Sequence, residues 1–122
     1  MGTRQNLARS FVHAFQGIGH FLRHERNGRI HLVAAVNAIA LSVALHISAA
    51  EWLIVLLCTG MVLSLEMVNA ALETLCNHVQ PGIHPAIKIV KDVSAGAVLC
   101  AAIISATAGC IIFLLKMMAL LQ

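Results

Sequence analysis

The chain has 122 residues, of which 60% are hydrophobic and 11% are charged, and its formal net charge is +3. A soluble domain has about 25% charged residues, so this composition predicts a chain that resides in a membrane. The aromatic content of 4% and the lack of Tyr argue against a base-stacking surface, and we expect no nucleic-acid partner.

The first predicted element is an amphipathic helix over about residues 5–26. Its apolar side chains recur every three or four residues, at Leu7, Phe11, Phe15, Ile18 and Leu22. This spacing puts them on one face of a helix, while the opposite face is polar and basic. The pattern predicts a helix that lies along the membrane surface and contacts bilayer lipids.

A polar segment, HERNGRIH, follows at residues 24–31 and is predicted to be a hinge. It contains Glu25, the only acid among the first 50 residues. Two readings of this carboxylate stay open. It is either the counter-ion of its Arg neighbours or half of a metal site.

Three transmembrane helices are predicted, at about residues 31–50, 52–76 and 92–118. The first contains twenty residues without a formal charge when His is neutral. As a helix it would cover about 30 Å, the hydrocarbon thickness of a bilayer. Pro81, Gly82 and Pro85 predict a loop over residues 77–91. The third span is rich in Ala, Gly and Ser, which allow membrane helices to pack closely.

Basic residues predict the orientation of the spans. Five of them precede the first span and two lie in the 77–91 loop, at positions Arg4, Arg9, Arg23, Arg26, Arg29, Lys88 and Lys91. The connection between the first two spans has none. Positive residues stay on the cytoplasmic side, so the N-terminus and the 77–91 loop are predicted to be cytoplasmic. The C-terminus is predicted to lie on the opposite side.

The second span carries Glu66, Asn69 and Glu73, whose spacings of three and four place them on one helical face. A carboxylate at bilayer depth costs about 2.5–3.5 kcal/mol, and such residues are usually functional. Glu66 is predicted to lie deepest, about two turns below Glu73. The stripe therefore indicates a site.

The chemistry that these residues suit is phosphoryl transfer to a lipid. Carboxylates such as Glu25, Glu73 and Asp92 bind Mg²⁺, and Lys88 and Lys91 can hold phosphate oxygens. A carboxyl group withdrawn from water, as predicted for Glu66, accepts a proton from a hydroxyl more readily. No P-loop motif is present. Composition and spacing alone indicate a membrane site of acids and cations, with lipid kinase as one option.

Two sequence runs carry a family resemblance. EMVNAALE at residues 66–73, followed by HPAIKIVKDVSAGAVL at residues 84–99, resembles the prokaryotic diacylglycerol kinase family. The family pattern is E-x-x-N-[ST]-A-[IL]-E, a short loop, and K-D-x-x-[AS]-[AG]-A-V-L. The upstream run AFQGIGHFLRHERNGRIH resembles members related to undecaprenol kinase.

The resemblance implies a homotrimer in the bacterial inner membrane, with a surface helix and three transmembrane helices per subunit. Its active site would lie between subunits, where ATP with Mg²⁺ phosphorylates a lipid alcohol. Glu66 would be the general base, and Glu25 and Glu73 would hold the metal. The implied ATP contacts are His13, Glu25, Asn69, Glu73, Gly82, His84, Lys91 and Asp92. The implied lipid contacts are Asn27, Arg29, Glu66 and Ala95.

The sequence departs from the family pattern at Asn77, where Asp is usual, and at Ala70, where Ser or Thr is common. The resemblance leaves the lipid open between undecaprenol, diacylglycerol and another alcohol, and the HERNGRIH segment favours undecaprenol.

Two other functions compete with lipid kinase. One is a small oligomeric transporter of protons or cations that uses the buried carboxylates. Acids in such a pathway should recur through the full depth of the bilayer, whereas here they stop at Glu66. The other is a passive assembly subunit, which leaves the clustered acids unexplained. The position of the acids and their clustering both favour an enzymatic site on one side of the membrane.

Overall fold

The computed structural model describes residues 6–122, and this part of the chain folds into four helices without a strand. The helices are α1 (Leu7–His24), α2 (Arg26–Ala44), α3 (Ala49–Val79) and α4 (Pro85–Leu120). The last three are long and apolar enough to cross a membrane. An all-α chain with three candidate spans is thereby confirmed. Residue 5 of the predicted surface helix and Arg4 of the basic set lie outside the described residues.

The junction of α1 and α2 is a single residue, Glu25, with extended backbone angles (φ −107°, ψ 111°). The polar hinge predicted over residues 24–31 is therefore helical except at this position. The Arg29 guanidinium makes so short a junction possible, because it donates to the carbonyls of Leu22 (3.0 Å) and Arg23 (2.8 Å). These are carbonyls of the last turn of α1, which have no partner within their own helix.

Gly28 lets the two helices approach at this elbow. The ring of Phe21 is buried against it, and a Cβ at position 28 would lie within 3.0 Å of three ring carbons. The contact fixes the direction in which α2 continues from α1. It thereby sets the position of Glu25 between them.

A tight turn joins α2 to α3, and α2 ends at Ala44, before the predicted residue 50. His46 has a left-handed backbone (φ 51°), and the amide of Ile47 donates to the carbonyl of Ser42 at 3.4 Å. This is a Schellman C-cap, and the Ile47 side chain that follows it is buried in the apolar core. Ser48 and Glu51 then cap α3 reciprocally.

The loop between α3 and α4 covers only residues 80–84, not the predicted 77–91, because both flanking helices are longer than expected. Pro85 is compatible with a first helical turn, where its missing N–H would have no partner in any case. The His84 ring accepts from the amide of Ala86 at 3.2 Å and caps the helix. Lys88, Lys91 and Asp92 consequently stand on a helix.

The most extensive contact is between α3 and α4, whereas α2 packs mainly on α3 and touches α4 little. The buried core is small and includes Ile47, Val55 and Ile112. Large apolar side chains of all three spans are exposed, as a surface in contact with lipid requires. At the end of the bundle that contains the α2–α3 turn, Lys116 of α4 pairs with Glu51 of α3 at 3.1 Å.

Gly28→Ala is expected to lower the free energy of unfolding by about 1–3 kcal/mol, because a methyl group overpacks the Phe21 contact. Thermal unfolding of the purified protein in detergent measures this loss. Gly17→Ala is the matched control, since a Cβ at position 17 meets no atom within 4 Å. That control should be neutral or stabilising by up to about 1 kcal/mol. Equal melting temperatures for the two variants would contradict the close contact.

Candidate active site

Glu66 of α3 is the deepest acid of the site, and its side chain is only 5% exposed. The Val62 side chain, one turn earlier on the same face, is also buried. Within residues 6–122 no hydrogen bond reaches the Glu66 carboxylate, and the one ionisable side chain within 4 Å of it is His31 of α2. The two side chains approach to 3.7 Å between Nε2 and Oε2.

His31 is the residue that sequence reasoning missed. It was expected only as the first position of a span, because no spacing within one helix links it to Glu66. The pairing appears only when α2 and α3 fold back on each other as an antiparallel hairpin. Its side chain is 26% exposed, so it is the more accessible member of the pair.

Glu73 and Glu25 lie above this pair, toward the same end of the bundle. Glu73 is seven residues beyond Glu66, or roughly 10 Å along α3. Glu25 is six residues before His31, or roughly 9 Å along the antiparallel α2. Glu73 is exposed and Glu25 half-buried. Neither carboxylate has an ion pair or a side-chain hydrogen bond in the described part of the chain, so a counter-ion contact, one of the two alternatives for Glu25, is not seen there.

These two acids suit Mg²⁺ by their chemistry. The ion is usually held by one or two carboxylates together with phosphate oxygens and water. No group of three or more metal-binding side chains forms within residues 6–122 of the single chain. Glu25 and Glu73 have no side-chain partner there, so both carboxylates are available to a bound cation.

The first turns of α4 bring cations and an acid to the same end. Lys88 donates to Asp92 at 2.6 Å, and Lys91 donates to the side-chain oxygen of Asn77 on α3. The neighbours Lys91 and Asp92 thus make separate contacts, one with α3 and one within α4. Asn77 departs from the family pattern, yet its amide oxygen still accepts a hydrogen bond from a Lys.

The other predicted residues are distributed as follows. Asn69 is half-buried, three residues along α3 from Glu66, while Gly82 and His84 are exposed in the loop that precedes α4. Asn27 and Arg29 are on the first turn of α2, and Ala95 is exposed on α4. His13 lies apart from the other predicted site residues, because its position on α1 is roughly 18 Å along the helix from Glu25. Its ring contacts Gln16 at 3.3 Å.

An apolar cavity of about 390 Å³ lies between α2, α3 and α4, and His31 is among its lining residues. Small side chains line much of it, including Ala34, Ala38, Ala102 and Gly109. Glu25, Glu66 and Glu73 do not line it. His31 therefore has the cavity on one side and the buried carboxylate on the other.

Comparisons with known proteins place this arrangement in a family. The model of the family described as prokaryotic diacylglycerol kinase matches residues 12–113. An undecaprenol kinase of Bacillus subtilis is 39% identical over 109 residues, which cover 89% of this chain and 89% of that protein. A diacylglycerol kinase of Synechocystis sp. is 37% identical over 105 residues, covering 85% of this chain and 60% of that protein. The family match includes every predicted site residue, from His13 to Ala95.

The Lys91–Asn77 contact should contribute measurably to the α3–α4 packing. Asn77→Leu removes the acceptor and is expected to lower the free energy of unfolding by about 1 kcal/mol, whereas Asn77→Asp keeps an acceptor and should not. A double-mutant cycle of Asn77→Leu with Lys91→Met, followed by thermal unfolding, isolates the pair. The matched cycle with Lys88→Met should show no coupling, because Lys88 contacts Asp92 instead. Equal coupling in both cycles would contradict the assignment.

Proposed function

The chain belongs to the prokaryotic diacylglycerol kinase family and is a lipid kinase, and we propose that it transfers a phosphoryl group from ATP to the hydroxyl of a membrane lipid. The observation that carries this proposal is the depth order of the acids. Glu66 is buried in the apolar part of the bundle, and Glu73 is exposed about two turns above it. A lipid hydroxyl and a water-soluble nucleotide can meet between these levels.

Glu66 is proposed to act as the general base. As the oxygen of the lipid hydroxyl attacks the terminal phosphorus of ATP, its proton passes to the Glu66 carboxylate. The bond between that phosphorus and the bridging oxygen of ADP breaks. The burial of Glu66 excludes competing water, which would otherwise accept the phosphoryl group.

The nucleotide is proposed to bind at the polar end of the bundle. Glu25 and Glu73 would hold Mg²⁺, which neutralises phosphate charge when bound. Asn69, Lys91 and Asp92 are proposed to contact the nucleotide, together with Gly82 and His84 in the loop before α4. Lys91 is already oriented by Asn77 before ATP arrives. Asn27, Arg29 and Ala95 are proposed to contact the lipid near Glu66.

The proposed assembly and orientation follow from the family and from charge. His13 is distant from Glu25 along its own chain, so a nucleotide contact by His13 fits a site that is shared between subunits of a homotrimer. With Lys88 and Lys91 on the cytoplasmic side, ATP would reach the acids from the cytoplasm. α1 would lie on that surface, with its exposed apolar side chains Leu7, Phe11 and Phe15 in the lipid.

Undecaprenol is the lipid we propose, ahead of diacylglycerol. The relative named undecaprenol kinase matches this chain over 89% of both lengths, whereas the chain covers only 60% of the relative named diacylglycerol kinase. No observation favours the transporter. Among residues 6–122, the one acid outside the proposed site is Glu51, which is paired with Lys116.

Glu66→Gln should abolish lipid phosphorylation, with kcat falling by about 10²–10⁴, because an amide cannot accept the proton. The measurement is transfer of labelled phosphate from ATP to undecaprenol and diacylglycerol, supplied together in one reconstituted assay. Glu51→Gln is the matched control on the same helix and should leave the rate unchanged. Turnover like that of the wild type in Glu66→Gln would remove its role as base. A wild type that labels neither lipid nor any lipid of a bacterial extract would refute the proposed reaction.

Glu73→Gln should raise the Mg²⁺ concentration needed for half-maximal activity several-fold, because one of two carboxylate ligands is lost. A Mg²⁺ titration at fixed ATP measures the shift. Glu51→Gln again serves as control, since it removes an acid at the opposite end of α3. If the titration curve of Glu73→Gln coincides with that of the wild type, Glu73 does not bind the metal.

A further inference from the structure

The proposed reaction leaves a proton on Glu66 after every turnover, and that proton has to leave a buried site. Within the described residues, the imidazole of His31 is the one charged or hydrogen-bonding group of another side chain that approaches this carboxylate, at 3.7 Å. In that part of the chain neither side chain has a hydrogen bond or lies within 4 Å of another oppositely charged side chain. The pair is therefore not a member of a larger structural network.

The two side chains differ in their exposed fraction. The Glu66 side chain is 5% exposed and the His31 side chain 26%. His31 also lines the apolar cavity of about 390 Å³ between α2, α3 and α4, which Glu66 does not line. Imidazole changes charge near neutral pH and passes protons through its two nitrogens. His31 thus both lies next to the buried carboxylate and lines the cavity.

Among residues 6–122, no other ionisable side chain lies within 4 Å of the Glu66 carboxylate as an ion-pair partner. From α3 and α4, the thiols of Cys58 and Cys110 line the same cavity as His31, but neither forms a hydrogen bond with it. On α2 the guanidinium of Arg29 is bound to carbonyls of α1. On α1 the ring of His24 contacts the carbonyl of His20 at 2.9 Å. Glu66 remains the single acidic side chain within 4 Å of His31 in the described range.

We propose that His31 is a positioning residue for the reaction, which orients Glu66 and restores it for the next turnover. This inference rests on the proposed function. After phosphoryl transfer, the O–H bond of the protonated Glu66 breaks and its proton bonds to Nε2 of the neutral imidazole. Glu66 becomes a carboxylate again, and the imidazolium releases a proton to water. A separation of 3.7 Å suits a site without substrate, where catalytic contacts are often long and shorten on binding.

The test compares His31→Ala, His31→Gln and Glu66→Gln in the reconstituted full chain, with ATP and undecaprenol as substrates. His31→Ala should lower kcat by about ten-fold or more, with both KM values within about two-fold of the wild type. Added imidazole should restore kcat of His31→Ala several-fold, because it can enter the vacated space beside Glu66. It should not restore Glu66→Gln, which lacks the proton acceptor.

His46→Asn is the matched control, because it removes an imidazole at the far end of α2 with a residue that tolerates the left-handed backbone there. It should keep the wild-type kcat. Thermal unfolding establishes that each variant is folded. If His31→Ala does not fold, His31→Gln decides: reduced kcat at unchanged KM supports the proposal, and wild-type kcat overturns it.

Two further results overturn the inference while the proposed function stands. One is a wild-type kcat in folded His31→Ala. The other is a loss of kcat in that variant which imidazole leaves unchanged, since a purely structural role would give that pattern. Failure of the proposed function looks different, because the wild type itself would then label no lipid.

Discussion

The structure depends on the cost of placing a carboxylate in an apolar bundle. Glu66 is buried, and in the described chain His31 is the one ionisable side chain near it, so the packing of the surrounding helices has to offset the cost of its burial. Three features lie at that end of the bundle: the one-residue junction at Glu25, the exposed Glu73 and the first turns of α4. At the opposite end, a short turn joins α2 to α3, and Glu51 is paired with Lys116. The two ends of the bundle therefore differ in how many of their charged side chains lack a partner within the described residues.

At the end of the bundle that contains Glu25, contacts to the backbone and helix caps position the residues as much as contacts between side chains do. Arg29 binds the last carbonyls of α1, and Gly28 admits the Phe21 ring, so Glu25 needs no loop to hold it. On α4 the His84 cap and Pro85 start the helix early, which gives Lys91 a rigid base from which to reach Asn77. Residues that sequence alone assigns to flexible segments are therefore fixed by helices.

The sequence predicts the helical class, the three spans and the acid stripe, because each of these is a local pattern. Glu66 and Glu73 share a face by spacing alone, whatever surrounds them. The short junctions are not predictable in this way. The 24–31 segment is polar like a hinge, but its Arg29 satisfies carbonyls six and seven residues earlier, which is a tertiary contact. The His31–Glu66 and Lys91–Asn77 contacts join different helices, and a single helix carries no signal of them.

The turn between α2 and α3 bears on how the protein reaches its membrane-embedded state. Residues 45–48 carry no formal charge, so a helical hairpin of α2 and α3 can insert with Glu51 as the only formal charge near its leading tip. Under the proposed orientation, Lys116 must later be translocated together with α4. Glu51 lies on that side, and its Oε1 atom pairs with Nζ of Lys116 at 3.1 Å. Biogenesis would then proceed in two steps, with the hairpin serving as the template against which the last helix docks.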